Sequence, residues 1–182
     1  GIRDLSVSRG LGDVYKRQVL MNAHALNSTQ NIVCSGIQDA LEQEKLQGSE
    51  IQMSLITVDD TNTFSVEESI RDIFMDQTLP DIIICLNELS TTCVYQAVVD
   101  YNCVGEIAIL GYYDTDTILK AIERNVITAT ISIDTEQMGA FCVDALQEYY
   151  NYGYTSQYFT ADVTVIDQSN VEEYLGKQEE AE

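Results

Sequence analysis

"DIIICLNELSTTCVYQAVVDYN", residues 81–102, decides the fold. Ile82 to Cys85 form a continuous apolar run, the pattern of a strand buried on both faces. Pro80, the only proline of the chain, separates that run from what precedes it. Asn87 and Glu88 follow as a polar tip. Ser90 can then cap a helix on which Val94, Ala97, Val98 and Tyr101 fall at helical spacing. A buried strand that passes through a short polar turn into an amphipathic helix is half of a βαβ unit.

The same unit recurs in both directions. Downstream, "EIAIL" (106–110) reads as a buried strand, and Ile118, Leu119 and Ile122 stripe a short helix. "VITATISI" (126–133) is the next strand. Asp134 and Gln137 can cap a longer helix carrying Met138, Cys142, Ala145 and Tyr149, closed by Gly153. "ADVTVI" (161–166) is a last strand before a polar tail. Upstream, "IQMSLITV" (51–58) is a strand, and Ser65 and Glu68 have capping-box spacing ahead of Val66, Ile70, Ile73 and Phe74. Val33, Ile37 and Leu41 mark a helix from Ser28 to Gln47, and "VLMN" (19–22) is the end of a strand. Strands that alternate with helices in this way predict right-handed crossovers: an α/β fold with a doubly wound, mostly parallel sheet.

Residues 1–18 break the pattern. "SRGLGDVYKRQ" (8–18) has neither periodicity and concentrates Arg9, Lys16 and Arg17 in an otherwise acidic chain. Read back into codons, it fits a sequencing adapter that ends in a transposase recognition sequence. "GIRD" fits the flanking primer. The expectation is a non-native segment over 1–18 that stands outside the fold.

Charge excludes several functions. Nine Lys and Arg face thirty Asp and Glu, for a net charge of −21 in 182 residues. Nucleic-acid affinity rests on neutralising phosphates, so no nucleic-acid partner is expected, nor an anionic membrane surface. No stretch approaches the ~20 apolar residues of a membrane span. The five cysteines, Cys34, Cys85, Cys93, Cys103 and Cys142, include no C-x-x-C pair and sit in apolar or helical patterns, which reads as buried free thiols. His24 is the only histidine, so no metal site is expected. "NAHALNSTQN" after the first strand lacks the glycine-rich loop that cradles phosphates, and no nucleotide cofactor is expected either. No nucleophile stands beside a plausible base, so no catalytic residue is assigned.

In a doubly wound sheet, ligands bind outside the carboxyl ends of the strands. Those tips carry Asn22, His24 and Asn27; Asp59, Asp60 and Thr61; Asn87 and Glu88; Tyr112, Tyr113 and Asp114; and Ser132 and Asp134. Carboxylates and amides can pair with adjacent sugar hydroxyls, and a tyrosine ring can cover a sugar's apolar face. Asp59 and Asp60 read more simply as an acidic loop that starts the next turn. Tyr149, Tyr150, Tyr152 and Tyr154 read as packing against a neighbouring surface.

Residues 81–102 together with "EIAILGYYDTDTILKAIERNVITATISIDTEQMG" (106–139) resemble the carboxyl-terminal lobe of type I periplasmic sugar-binding proteins. The effector domains of the lactose-repressor family share that fold. The resemblance covers roughly residues 19 to 170. It implies ligand contacts at Asn87 after one strand and at Tyr113 or Asp114 in "GYYD"; Glu88 and Asn27, from their place at strand tips, and Asn31 on the first helix complete the candidate contacts. Asn31 stands near the family's usual arginine, Ile133 replaces a glutamine, and Thr135 replaces a proline. The implied organisation is a ligand-binding lobe over 19–133, then a helix and strand over 134–182 that return toward a first lobe, leaving apolar surface exposed on both. The implied function is the solute-binding subunit of a sugar importer, extracytoplasmic and working with a membrane permease. The alternative is the effector domain of a transcription regulator or membrane sensor.

Overall fold

The computed structural model describes residues 16–22, 28–46, 51–75 and 79–179. Among these residues, six strands and six helices alternate: β1 (Lys16–Asn22), α1 (Ser28–Leu46), β2 (Ile51–Thr57), α2 (Thr63–Met75), β3 (Ile82–Cys85), α3 (Glu88–Asp100), β4 (Ala108–Tyr112), α4 (Asp116–Glu123), β5 (Ala129–Ile133), α5 (Thr135–Tyr152), β6 (Val163–Asp167) and α6 (Val171–Glu179). They form one sheet of order β2-β1-β3-β4-β5-β6. The first five strands are parallel, and β6 runs antiparallel to β5. The expected α/β class and mostly parallel sheet are therefore present. The strand order reverses at β1, which places the topological switch between β1 and β3.

Strand alternation divides the apolar residues between two faces. On one face, Ile83, Cys85, Ile109 and Ile166 join Val66 and Ile70 of α2, Val94 and Val98 of α3, and Ile118, Leu119 and Ile122 of α4 in the main core. On the other, Ile84 and Leu86 pack with Cys34, Val33 and Ile37 of α1 and with Met53. The opposite face of β5 and β6 is open: Ile131 pairs with Val165 and Ile133 with Val163, and Ile131, Val163 and Val165 are all exposed. No residue of α5 is buried, although Met138, Val143 and Leu146 are apolar.

Several sequence expectations shift. β1 takes in Lys16, Arg17 and Gln18, which the codon reading had set apart; they pair with Ile51, Gln52 and Met53, through backbone groups that any residue supplies. β6 lies at the edge of this sheet, antiparallel to β5. Residues 171–179, read as part of a polar tail, form α6. Val171 is buried and Tyr174 and Leu175 pack against the main core, a one-turn apolar stripe interrupted by Glu172 and Glu173. Cys142 is exposed, whereas the other four cysteines are buried and free as expected. The caps of α2 and α3 also move upstream. The side chain of Asn62, not Ser65, accepts from the Ser65 amide at 3.1 Å. Likewise Asn87, not Ser90, accepts from the Ser90 amide at 2.7 Å. Asp134 and Gly153 close α5 as expected, Asp134 accepting from the Gln137 amide at 2.8 Å and Gly153 adopting φ 78°.

Candidate functional site

The carboxyl ends of β2, β3, β4 and β5 gather the polar residues into one edge. At β3, the last buried apolar residue is Leu86, and the chain turns at Asn87 into α3. The Asn87 side chain is doubly engaged. Its oxygen caps α3, and its Nδ2 donates to Asp60 Oδ2 at 3.3 Å. Asp60 follows β2, and β1 lies between β2 and β3 in the sheet, so this bond spans the end of β1. Asp59 shapes the same loop by accepting from the Thr61 amide at 3.1 Å.

At β4, Tyr112 and Tyr113 meet edge to face with ring centroids 5.1 Å apart. Burial and the adjoining Tyr113 raise the Tyr112 hydroxyl above the ordinary tyrosine range. Tyr113 has φ 74°, the left-handed region that a bulky residue seldom occupies, and is 38% exposed. Asp114 accepts from the Ser132 hydroxyl at 2.8 Å, which ties the tip of β4 to β5. Beneath these tips lie the buried hydroxyls of Thr91 and Thr130. Thr91 donates to the Asn87 carbonyl at 2.7 Å and accepts from the Tyr112 amide at 3.1 Å.

Of the residues expected from sequence, the structure brings Asn87, Tyr113 and Asp114 to this edge, and Glu88 begins α3 as an exposed residue. Asn31 is exposed in the first turn of α1, the helix that follows β1. Asn27 and His24 lie outside the described residues. Asp60, read as part of a plain acidic loop, is a member of the site through its bond to Asn87. Thr91 and Thr130 went unread. Their only signal was a small polar residue inside an otherwise apolar pattern.

The edge offers carboxylates, an amide and a tyrosine ring. That donor and acceptor set suits a neutral polyhydroxy ligand and is a poor match for an anion. No group of three or more potential metal ligands occurs among the described residues. The core thiols are chemically quiet: burial pushes Cys85 up to about 12 and Cys93 up to about 11, far from a reactive thiolate. No described helix is long and apolar enough to cross a membrane.

No protein-family model matches the sequence, and no curated protein matches it. Solved structures do. A glucose-galactose binding protein of Geobacillus stearothermophilus superposes with a TM-score of 0.75 at 16% identity, covering 87% of this chain and 55% of its own. A sugar-binding protein of a sugar ABC transporter from Bacillus halodurans gives 0.74 at 17% identity, over 88% of this chain and 57% of its own. An ABC transporter solute-binding protein from Agrobacterium vitis, bound to α-D-tagatopyranose, gives 0.73 at 12% identity, over 91% of this chain and 54% of its own. These likenesses establish a lobe of the periplasmic-binding-protein fold. The chain spans little more than half the length of each of these structures.

Proposed function

We propose that this chain is the carboxyl-terminal lobe of a solute-binding protein that takes a small carbohydrate-like ligand. The observation that carries this is the row Asp60–Asn87 and Tyr113–Asp114 along the carboxyl edge of the sheet. Hydroxyl groups on adjacent carbons need closely spaced acceptors, which paired carboxylates and amides supply. The ring of Tyr113 adds an apolar surface for the C–H face of a sugar. Asn31 and Glu88 line the approach in this reading, and Asn27 is kept as a further contact on sequence grounds alone. The nearly twofold greater length of the similar structures supports a second lobe that closes over the ligand. Residues 19–133 then form the ligand-binding lobe and 134–182 its connection to the other lobe, with α5 exposed because its surface meets that lobe. In the intact protein the partners are the sugar and a membrane permease of an importer, outside the cytoplasm.

Saturation-transfer NMR of the chain with D-galactose, D-arabinose, D-tagatose and myo-inositol tests the reading. One lobe contributes only part of the contacts, so binding of at least one of these polyols in the millimolar range is expected, about −4 kcal/mol. Asp114→Ala and Asn87→Ala are each expected to abolish the transferred signal. Equal transfer in both variants, or none from any polyol to the unaltered chain, would sink the assignment of this edge.

A further inference from the structure

We infer that Thr130 is a positioning residue for the ligand-facing edge, its hydroxyl holding Tyr113 in the conformation that presents the ring. The inference rests on the ligand site proposed above and adds to it the residue that sets its shape. Thr130 lies in β5 and is 1% exposed. Its Oγ1 donates to the Tyr113 carbonyl at 2.6 Å. The Tyr113 amide donates to the carbonyl of the next residue, Ile131, at 2.8 Å. Both backbone groups of Tyr113 are thus held by two consecutive residues of the neighbouring strand.

That clamp matters because of the conformation it holds. At φ 74° the Cβ of Tyr113 is crowded by its own backbone, and such a residue persists only where its surroundings over-determine it. The tyrosine would otherwise relax toward an extended geometry and turn its ring to another side. The room for the clamp comes from Gly111. A Cβ there would lie 3.2 Å from Thr130 Oγ1 and 2.6 Å from Thr91 Cγ2, so any larger residue would push both threonines away from the strand tip. Ser132, two residues along the same face of β5, holds Asp114 in the same manner. One face of β5 therefore fixes the whole tip of β4, backbone at Tyr113 and carboxylate at Asp114.

A purely structural role for Thr130 predicts something different: a general loss of stability with no local change at Tyr113. Three variants of the full chain, labelled for NMR, separate the two. In Thr130→Val, Tyr113 is expected to leave the left-handed region, read from its Cα shift and φ-dependent amide coupling. Saturation transfer to the polyol that the unaltered chain binds is expected to fall about tenfold. Thr130→Ser is expected to restore both readouts. Val98→Ala, which opens the core at a fully buried site on α3, is expected to lower Tm while moving neither. If Thr130→Val does not fold, the double variant Thr130→Val with Tyr113→Gly is expected to fold, because glycine adopts a positive φ unaided. Failure of that double variant, or a Tyr113 that stays left-handed in Thr130→Val, overturns the proposal. If Tyr113 moves but no polyol ever binds the unaltered chain, the ligand reading fails while the positioning of Tyr113 stands.

Discussion

α4 and α5 follow successive strands of one sheet, β4 and β5, and both carry apolar stripes. The shorter one, with 8 residues, buries Ile118, Leu119, Ala121 and Ile122. The longer one, with 18 residues, buries none. α4 lies against the main core and beside α6, whereas α5 leaves Met138, Val143, Leu146 and Tyr149 in solvent. An isolated helix of this length is marginal in water, and most helical stability comes from packing one face. The difference teaches that the amphipathic stripe of a helix records the surface it is shaped for, and that for α5 this surface is not among the described residues. The open face of β5 and β6 likewise leaves Val163 and Val165 exposed.

The largest test of that contrast pairs one truncation on each helix. Ile122→Ala removes a fully buried side chain from the core and is expected to lower the unfolding free energy by about 3 kcal/mol, as large-to-small core changes do. Leu146→Ala, at a position 59% exposed, is expected to change it by less than about 0.5 kcal/mol. Urea denaturation of the two variants reads both numbers. A loss of similar size at Leu146 would mean that α5 packs on something in this chain after all.

The contrast also explains how much of the molecule was legible in its residues. The βαβ alternation was plain because buried parallel strands such as Ile82–Cys85 leave unbroken apolar runs. α6 was hidden because its stripe, Val171, Tyr174 and Leu175, is one turn long and interrupted by glutamates. The antiparallel sense of β6 left no mark, since strand direction is set by the path of the connecting chain and not by residue type. Cap positions slipped by three because Asn62, Ser65, Asn87 and Ser90 are all good capping residues, and only the backbone decides among them. In the site, Tyr113 and Asp114 could be found from their place after a strand. The Asp60–Asn87 bond could not, because it joins residues 27 apart in sequence across a third strand.

The buried half of the contrast is sharpened by pH. Cys85 is shifted from an ordinary value of 9.0 up to about 12, by burial first and by the neighbouring Cys93 in smaller part, against a hydrogen bond with Thr91. The folded state keeps its proton where the unfolded state has lost it. The contribution of this thiol is therefore complete below pH 9 and is lost as pH rises toward 12. Within that window the slope is about −1.4 kcal/mol per pH unit for one thiol. Urea midpoints at pH 8, 9, 10 and 11 are expected to fall more steeply for the unaltered chain than for Cys85→Ala. Equal slopes for the unaltered chain and Cys85→Ala would show that the thiol ionises as readily folded as unfolded.

The smallest effect is expected where α5 begins. Asp134 accepts from the Gln137 amide at 2.8 Å and so satisfies one of the free donors of the first turn. Removing such a cap costs about 1 kcal/mol of helix stability. In a helix packed on a core that cost appears in global unfolding. In α5, with no buried residue to couple it to the sheet, the cost remains local and the helix frays alone. Asp134→Ala is therefore expected to lower the far-ultraviolet helical signal and speed amide exchange from Glu136 through Val143. The urea midpoint reported by the Ile118–Ile122 core is expected to stay where it was. A midpoint that falls with the helical signal would mean that α5 and the sheet unfold as one unit, and the contrast between α4 and α5 would lose its energetic meaning.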